Sequence, residues 1–401
     1  MTPSLSGGDV RRYEYIDLLR AAAILGVMAI HCQQHMPGLS PVVAAMFHFG
    51  QMGVQLFFVA SALTLCLSAA ERGEASPVNF YVRRFFRVAP LYYFGIAFYF
   101  GWRLLVAKYR SGSFAVDNGY SLLSVVENLL FVHGFHPSNF NFVVPGGWSI
   151  ATEMGFYAIF PILHRRMEQL DLAAAVRLAL AVAALSFAAQ YAFVAELQPL
   201  LAGVGLLKTV IAGDDEFNFL YASLANQINV FMIGLVAWKA LGRKVRRLHL
   251  ALAAALMAAA CFVLNDHRFD TGYDGFIYPI LSAVAFALFG LRLGAATLPN
   301  NRLLLILAAV GRNSFSMYLM HFAVLDGVEA VLWPTAFECI VAPDLRLAVL
   351  YAAVAGLSYP VARLTNRWIE QPGVRLGKRF LGRRAAASLG RDSAAAGVQR
   401  L

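Results

Sequence analysis

The feature that most constrains this chain is a succession of apolar runs, each about as long as a bilayer is thick. A helix needs roughly 20 mostly apolar residues to cross the hydrocarbon core. Ten runs meet that length: 17–36, 51–70, 88–107, 148–164, 172–195, 219–241, 249–265, 276–296, 303–325 and 346–366. Inside lipid only helices and closed barrels satisfy their own backbone groups, and runs this long are helical. The expected fold is therefore an all-α integral-membrane protein, a polytopic bundle of about ten transmembrane helices. Two shorter apolar stretches, 121–133 and 199–212, are expected as interfacial or re-entrant segments. Composition excludes the soluble alternative: 59% of the 401 residues are hydrophobic and 14% charged, against about half and a quarter in soluble domains.

Charge placement orients the bundle. With the N-terminus in the cytoplasm, the segments on that side (1–16, 71–87, 165–171, 242–248, 297–302, 367–401) hold 21 Lys and Arg, and the opposite segments hold 4. This is the positive-inside pattern. It predicts a multi-pass protein of the inner (plasma) membrane with both termini cytoplasmic. The net charge of +10 is thereby assigned to the membrane and not to nucleic acid. The run Arg243-Lys244-Val245-Arg246-Arg247 reads as an anchor on anionic lipid. The first apolar run contains Asp17, Arg20 and His31 and ends in no small-residue cleavage site, so it is not read as a signal peptide. The Ala-, Ser-, Gly- and Arg-rich stretch 379–401 is expected to be a mobile cytoplasmic tail. Cys32, Cys66, Cys261 and Cys339 form no CxxC pair. The first three are read as buried packing residues.

Ionisable residues within a span are costly and mark function by default. Arg20 and His31 are eleven residues apart, so on a helix they share a face about 16 Å apart in depth. Asp17 precedes Arg20 by three and can pair with it. Glu153 stands in the fourth run behind Pro145-Gly146-Gly147-Trp148, a break that opens a helix, with Trp148 and Ser149 at the same end. His321 lies in the ninth run, where it either lines a cavity or packs. His133 and His136 are read as solvated loop residues. His31 and His35 have the i,i+4 spacing of metal ligands, but no third ligand is placed by the sequence and no metal site is expected.

These residues fall in an order that resembles the membrane-bound acyltransferase-3 family, which includes the O-acetylases of bacterial surface glycans. Arg20 and His31 match its Arg-x10-His signature. Gly53-Val-Gln-Leu-Phe-Phe-Val-Ala-Ser61 looks like its second-span motif. Arg84-Phe-Phe-Arg87 with Ala89-Pro90-Leu91-Tyr92 follows, then Trp148-Ser-Ile-Ala-Thr-Glu153, Ser314-Phe-Ser-Met-Tyr-Leu-Met-His321 and Glu370-Gln-Pro372. The resemblance covers 17–378, between the N-terminal segment 1–16 and the tail. Gln55, where an acidic residue is common, and Ala62, where Gly is common, depart from the pattern.

The resemblance implies an O-acyltransferase that moves an acyl group, acetyl before succinyl or a longer chain, from acyl-CoA to a hydroxyl of a glycan or glycolipid. Acyl-CoA is then a co-substrate, with no tightly bound cofactor. Neutral imidazole suits proton abstraction near pH 7, so His31 is the candidate base or transient acyl carrier. Glu153 is expected to orient His31 or bind acceptor hydroxyls. Arg20, Arg84 and Arg87 are expected on the coenzyme A phosphates, for which the guanidinium fork is suited. Asp17, Trp148, Ser149 and His321 are placed at the acceptor or cavity. The alternative is a secondary transporter or exporter, which intramembrane charges also fit. Such folds carry internal repeats, and none is visible here.

Overall fold

A computed structural model describes residues 7–398 except 74–75, 113–119, 137–138, 194, 196–218, 266–273, 300, 334–336 and 338. The apolar stretch 199–212 lies outside the described residues. Among those described, all regular structure is helical. The helices are α1 (Gly7–Gln34), α2 (Pro41–His48), α3 (Gly53–Arg72), α4 (Pro77–Ser111), α5 (Leu122–Leu129), α6 (Gly147–Gln169) and α7 (Leu172–Ala192). After them come α8 (Leu224–Lys239), α9 (Arg247–Asn265), α10 (Asp274–Gly294), α11 (Arg302–Arg312), α12 (Ser314–Leu332), α13 (Pro343–Thr365) and α14 (Gln371–Val398).

Eight helical stretches among the described residues are long and apolar enough to cross a membrane, where the sequence predicts about ten. Two differences have a physical cause. The runs at 88–107 and 148–164 lie in α4 and α6, whose apolarity is diluted by side chains turned inward, among them Tyr92, Tyr99, Ser149 and Thr152, all buried. The run at 303–325 is not one helix: it breaks at Asn313 into α11 and α12. The stretch at 121–133 yields the eight-residue α5, about 12 Å long and too short to span. A π-helical turn at Asn366–Glu370 joins α13 to α14, and α14 carries helical backbone to Val398, into the stretch read from sequence as a mobile tail.

Three contacts fix how the end of α11 and the following α12 run beside α1. Asp17 meets Arg312, His31 packs near His321 and His35 bonds Glu329, so α1 and α12 point the same way. α3 runs against them: Gly53, at its start, faces Ala23 of α1, and Thr64 meets Arg20. α4 runs with α1, carrying Arg87 to Glu370 near its start and Trp102 to Asp326 farther along. The crossing of α1 and α11 is so close that a Cβ on Gly311 would stand 1.8 Å from the Asp17 carbonyl oxygen, which leaves glycine as the residue that fits. The core between these helices is aromatic, with Phe231 of α8 stacked between Phe58 and Phe156 at centroid distances of 4.4 and 4.0 Å. α7 and α9 turn apolar side chains outward, including Leu180, Leu185, Leu252 and Phe262, the surface expected of helices that face lipid. Cys32 and Cys66 are buried as expected, whereas Cys261, on α9, is partly exposed.

Candidate active site

Two cavities lie one above the other along α1. The first, about 110 Å³, is lined by Arg20, Arg84, Arg87, Glu153 and Tyr157. The second, about 510 Å³, is lined by His31, Gln34, Gln51, Trp148 and Tyr221. Val54 and Tyr318 belong to the walls of both. The helical period correctly puts Arg20 and His31 on one face, and the structure assigns them to separate chambers.

The arginine chamber is a network of shared charges. Arg20 donates to Thr64 Oγ1 at 3.1 Å and pairs with Asp17 at 3.5 Å. Asp17 is shared with Arg312 at 3.6 Å. Arg84 places its guanidinium carbon 5.8 Å from the rings of Phe80 and Tyr157, and its Nε is buried without a partner. Arg87 donates to Glu370, which is fully buried and also accepts from Ser316 Oγ at 2.7 Å. Glu153 accepts hydrogen bonds from Ser61 Oγ at 2.5 Å and Tyr157 OH at 2.6 Å. The expectation that Glu153 orients His31 is corrected by this placement, since its partners lie in the arginine chamber. Charge-assisted hydrogen bonds of this kind are stronger than neutral ones, so the chamber presents oriented guanidinium groups around a small polar void.

The histidine chamber is built differently. His31 Nδ1 lies 3.0 Å from Gln34 Oε1. Because that partner is a carbonyl oxygen, Nδ1 carries the proton and Nε2 is left with its lone pair. Phe322 and His321 pack against the imidazole at centroid distances of 4.4 and 5.3 Å. His321 is fully buried. Its Nδ1 donates to the carbonyls of Tyr318 (2.7 Å) and Met317 (3.2 Å), and its Nε2 has no partner. One turn on, just past the end of α1, His35 Nδ1 bonds Glu329 of α12 at 2.8 Å.

The wall between the chambers depends on the Pro145–Trp148 break. Gly146 has φ +74°, a left-handed conformation that frees its carbonyl to accept from both Ser149 Oγ and Tyr318 OH at 3.0 Å. Ser149 and Tyr318 are themselves 2.8 Å apart. Trp148 packs near Tyr221 and Phe58, at centroid distances of 5.5 and 6.3 Å. Of the predicted residues, Arg20, Arg84, Arg87, Glu153 and Ser149 meet in the first chamber. His31 and Trp148 meet in the second, with His321 behind His31 and Asp17 bridging outward from Arg20.

Several residues in these walls escaped the sequence reading. Gln34 and Tyr318 are neutral and do not stand out among ionisable groups, although Gln34 is one helical turn from His31. Ser61 closes the second-span motif and Tyr157 stands one turn past Glu153, and both become interpretable only once their shared partner, Glu153, is known. His133 is corrected outright. It is fully buried, its Nε2 donates to the Gly147 carbonyl at 3.0 Å and lies 3.0 Å from Tyr92 OH, and burial holds its pKa below the ordinary imidazole value. It braces the start of α6, while His136 bonds Glu127 at 3.0 Å. The two departures from the motifs are accommodated structurally. Gln55 is buried and donates to Tyr221 OH and Gln227 Oε1, and Ala62 packs on Gly234.

A family model described as an acyltransferase domain matches residues 13–363. The chain is also similar to acyltransferase MdmB of Streptomyces mycarofaciens, at 29% identity over 407 residues covering 94% of each chain. No solved structure matches it. The two stacked chambers, the helices apolar enough to cross a membrane and the match over most of its length together make this chain a multi-pass membrane protein that belongs to the acyltransferase-3 family.

Proposed function

We propose that the protein is an O-acyltransferase that takes an acyl group, acetyl in the first instance, from acyl-CoA at the cytoplasmic side of the inner membrane. The acceptor is a hydroxyl of a glycan or glycolipid on the other side. The observation that carries this reading is the pair of chambers meeting at Tyr318. One is lined by guanidinium groups suited to a phosphate-bearing donor, the other by an imidazole whose Nε2 is free to take a proton. The reaction needs no metal. The acceptor oxygen attacks the thioester carbonyl as His31 Nε2 takes its proton. The tetrahedral intermediate then collapses, the carbon–sulfur bond breaks, and the thiolate of coenzyme A recovers the proton. In the alternative route Nε2 itself attacks the thioester, and the acceptor displaces the acyl group from nitrogen. Both need the same tautomer, and the Gln34 hydrogen bond favours it.

The test is acyl transfer per folded enzyme for wild type, His31→Ala and His31→Gln. Losing a base costs on the order of 10²–10⁴-fold in rate, and Gln should rescue nothing because it cannot take a proton. Near-normal turnover in His31→Gln removes His31 from the mechanism. Purified protein that leaves acetyl-CoA intact under all conditions favours a transporter instead.

A further inference from the structure

Outside the two chambers, where α11 ends and α13 passes into α14, a groove of about 720 Å³ is lined by Arg312, Arg363, Arg367 and Arg375 together with backbone-flanking amides such as Asn366 and Gln371. No acidic side chain lines it. Arg312 shares Asp17 with Arg20; for Arg363, Arg367 and Arg375 the described residues supply no carboxylate within salt-bridge distance. Three guanidinium groups on one groove with no carboxylate of their own, beside a fourth that shares one, repel one another, and an arrangement of that kind is stabilised by an anion. A positive-inside bias explains basic residues scattered along a membrane face. It does not explain their convergence, with amides, on one concave surface.

Two further observations tie the groove to the site. The π-helical turn Asn366–Glu370 is a local departure from α-helical geometry of the type that recurs at functional positions. It sends Asn366 and Arg367 to the groove and Glu370 into the core, where Glu370 holds Arg87 of the first chamber. On the other flank, the Asp17 carboxylate is held between Arg312 of the groove and Arg20 of the chamber. The groove and the arginine chamber are therefore linked at two places, each through a single carboxylate that lines neither of them.

We propose that this groove is a binding site for an anionic phosphate group, as ester or diphosphate, recognised through the planar donor forks of its arginines. That chemistry has two sources here, the nucleotide end of the acyl-CoA donor and the headgroup of an anionic lipid. The first rests on the donor reading given above, and the second does not.

The test compares wild type with the triple variant Arg363→Gln, Arg367→Gln, Arg375→Gln. A control, Lys378→Gln, Arg379→Gln, Arg383→Gln, removes three cations from α14 outside the groove. In the donor arm, binding of acetyl-CoA and of its 3′-dephospho analogue is measured in nanodiscs of neutral phosphatidylcholine. A nucleotide site makes wild type and control favour the 3′-phosphate by about tenfold or more, and the groove variant binds both alike. In the lipid arm, native mass spectrometry counts phosphatidylglycerol and cardiolipin retained from mixed nanodiscs. A lipid site shows retention in wild type and control and loss in the groove variant. The Arg→Lys version of the triple, which keeps charge and loses the fork, guards against misfolding and falls between wild type and the Gln variant. If the Gln variant matches the control in both arms, the groove binds no phosphate and the inference is overturned. If wild type binds no acyl-CoA at all, the donor reading falls and the lipid arm alone judges the groove.

Discussion

The Arg87–Glu370 pair allows stability and donor binding to be separated within one interaction. Glu370 is fully buried and has two partners, Arg87 and the Ser316 hydroxyl, whereas the Arg87 side chain is 36% exposed. Removing one member of a buried pair costs about 3–5 kcal/mol because the other is left as an uncompensated charge. The two single substitutions are unequal. Arg87→Met strands a carboxylate with no access to water and should cost that full amount. Glu370→Met strands a guanidinium that is one-third exposed and partly screened, so about half as much is expected. The double Met variant replaces the pair by apolar volume and should recover most of the loss, with a coupling of about 2 kcal/mol or more between the sites. Stability is read as the unfolding equilibrium in mixed micelles. Affinity for acetyl-CoA, measured on the same samples, should not recover in the double variant, because Arg87 also faces the first chamber. Additive losses, or a costlier Glu370→Met, would refute the pairing as the structure has it. Recovered affinity in the double variant would remove Arg87 from the donor site.

Three further outcomes are expected. Gly311→Ala puts a methyl group 1.8 Å from the Asp17 carbonyl oxygen, so it should cost more than the roughly 1–3 kcal/mol of ordinary overpacking. A normal monodisperse yield in detergent would show that α1 and α11 can separate there. Glu153→Gln removes a negative charge from the chamber of Arg20 and Arg84, so a phosphate-bearing donor should bind tighter by on the order of 1 kcal/mol; weaker acetyl-CoA binding by calorimetry would place the donor elsewhere. Burial lowers the His133 pKa, so below about pH 6.5 the unfolded chain takes up the proton first and stability falls by up to about 1.4 kcal/mol per pH unit. His133→Asn should be less stable at pH 7.5 but lack this acid slope, and parallel pH profiles for the two proteins would mean that His133 stays exposed to water.

What the sequence makes legible is whatever is encoded locally. Run length announces the helices, and the eleven-residue interval places Arg20 and His31 on one face of α1, as found. The break at Asn313 is not visible in this way, because Leu303–Val310 and Phe315–Ala323 are apolar on both sides of it. α4 and α6 are the reverse case. They are less apolar because they bury Tyr, Ser and Thr inside the bundle, and Ser149 and Tyr157 of α6 line the first chamber, so low hydropathy there marks burial of polar groups and not exposure. Long-range partners are not encoded locally. Nothing near His133 in sequence indicates that it folds under Gly147, and nothing near Glu153 indicates that its partner Ser61 comes from another helix.

The division between the chambers also bears on the order of events. Tyr318 is held by Ser149 and the Gly146 carbonyl, all buried, and it lines both voids. A left-handed glycine sits under this contact, and a Cβ there would lie 2.9 Å from the Tyr318 hydroxyl. On the proposed reaction the thioester must pass this point to reach His31 Nε2, while the nucleotide end stays among arginines. An acyl group is small and a pantetheine arm is narrow, so the Tyr318 side chain need only rotate, at the expense of two neutral hydrogen bonds of about 1 kcal/mol each. A bulky glycan cannot follow the same path in reverse. On the proposed reaction, the wall admits the donor's reactive end and keeps the acceptor on the histidine side, and size sets the direction. Tyr318→Phe keeps the ring and drops both bonds, and it should speed thioester hydrolysis in the absence of acceptor more than it changes acyl transfer. The two rates, measured with and without acceptor on one preparation, carry the test: equal effects on both would mean that Tyr318 is not the barrier.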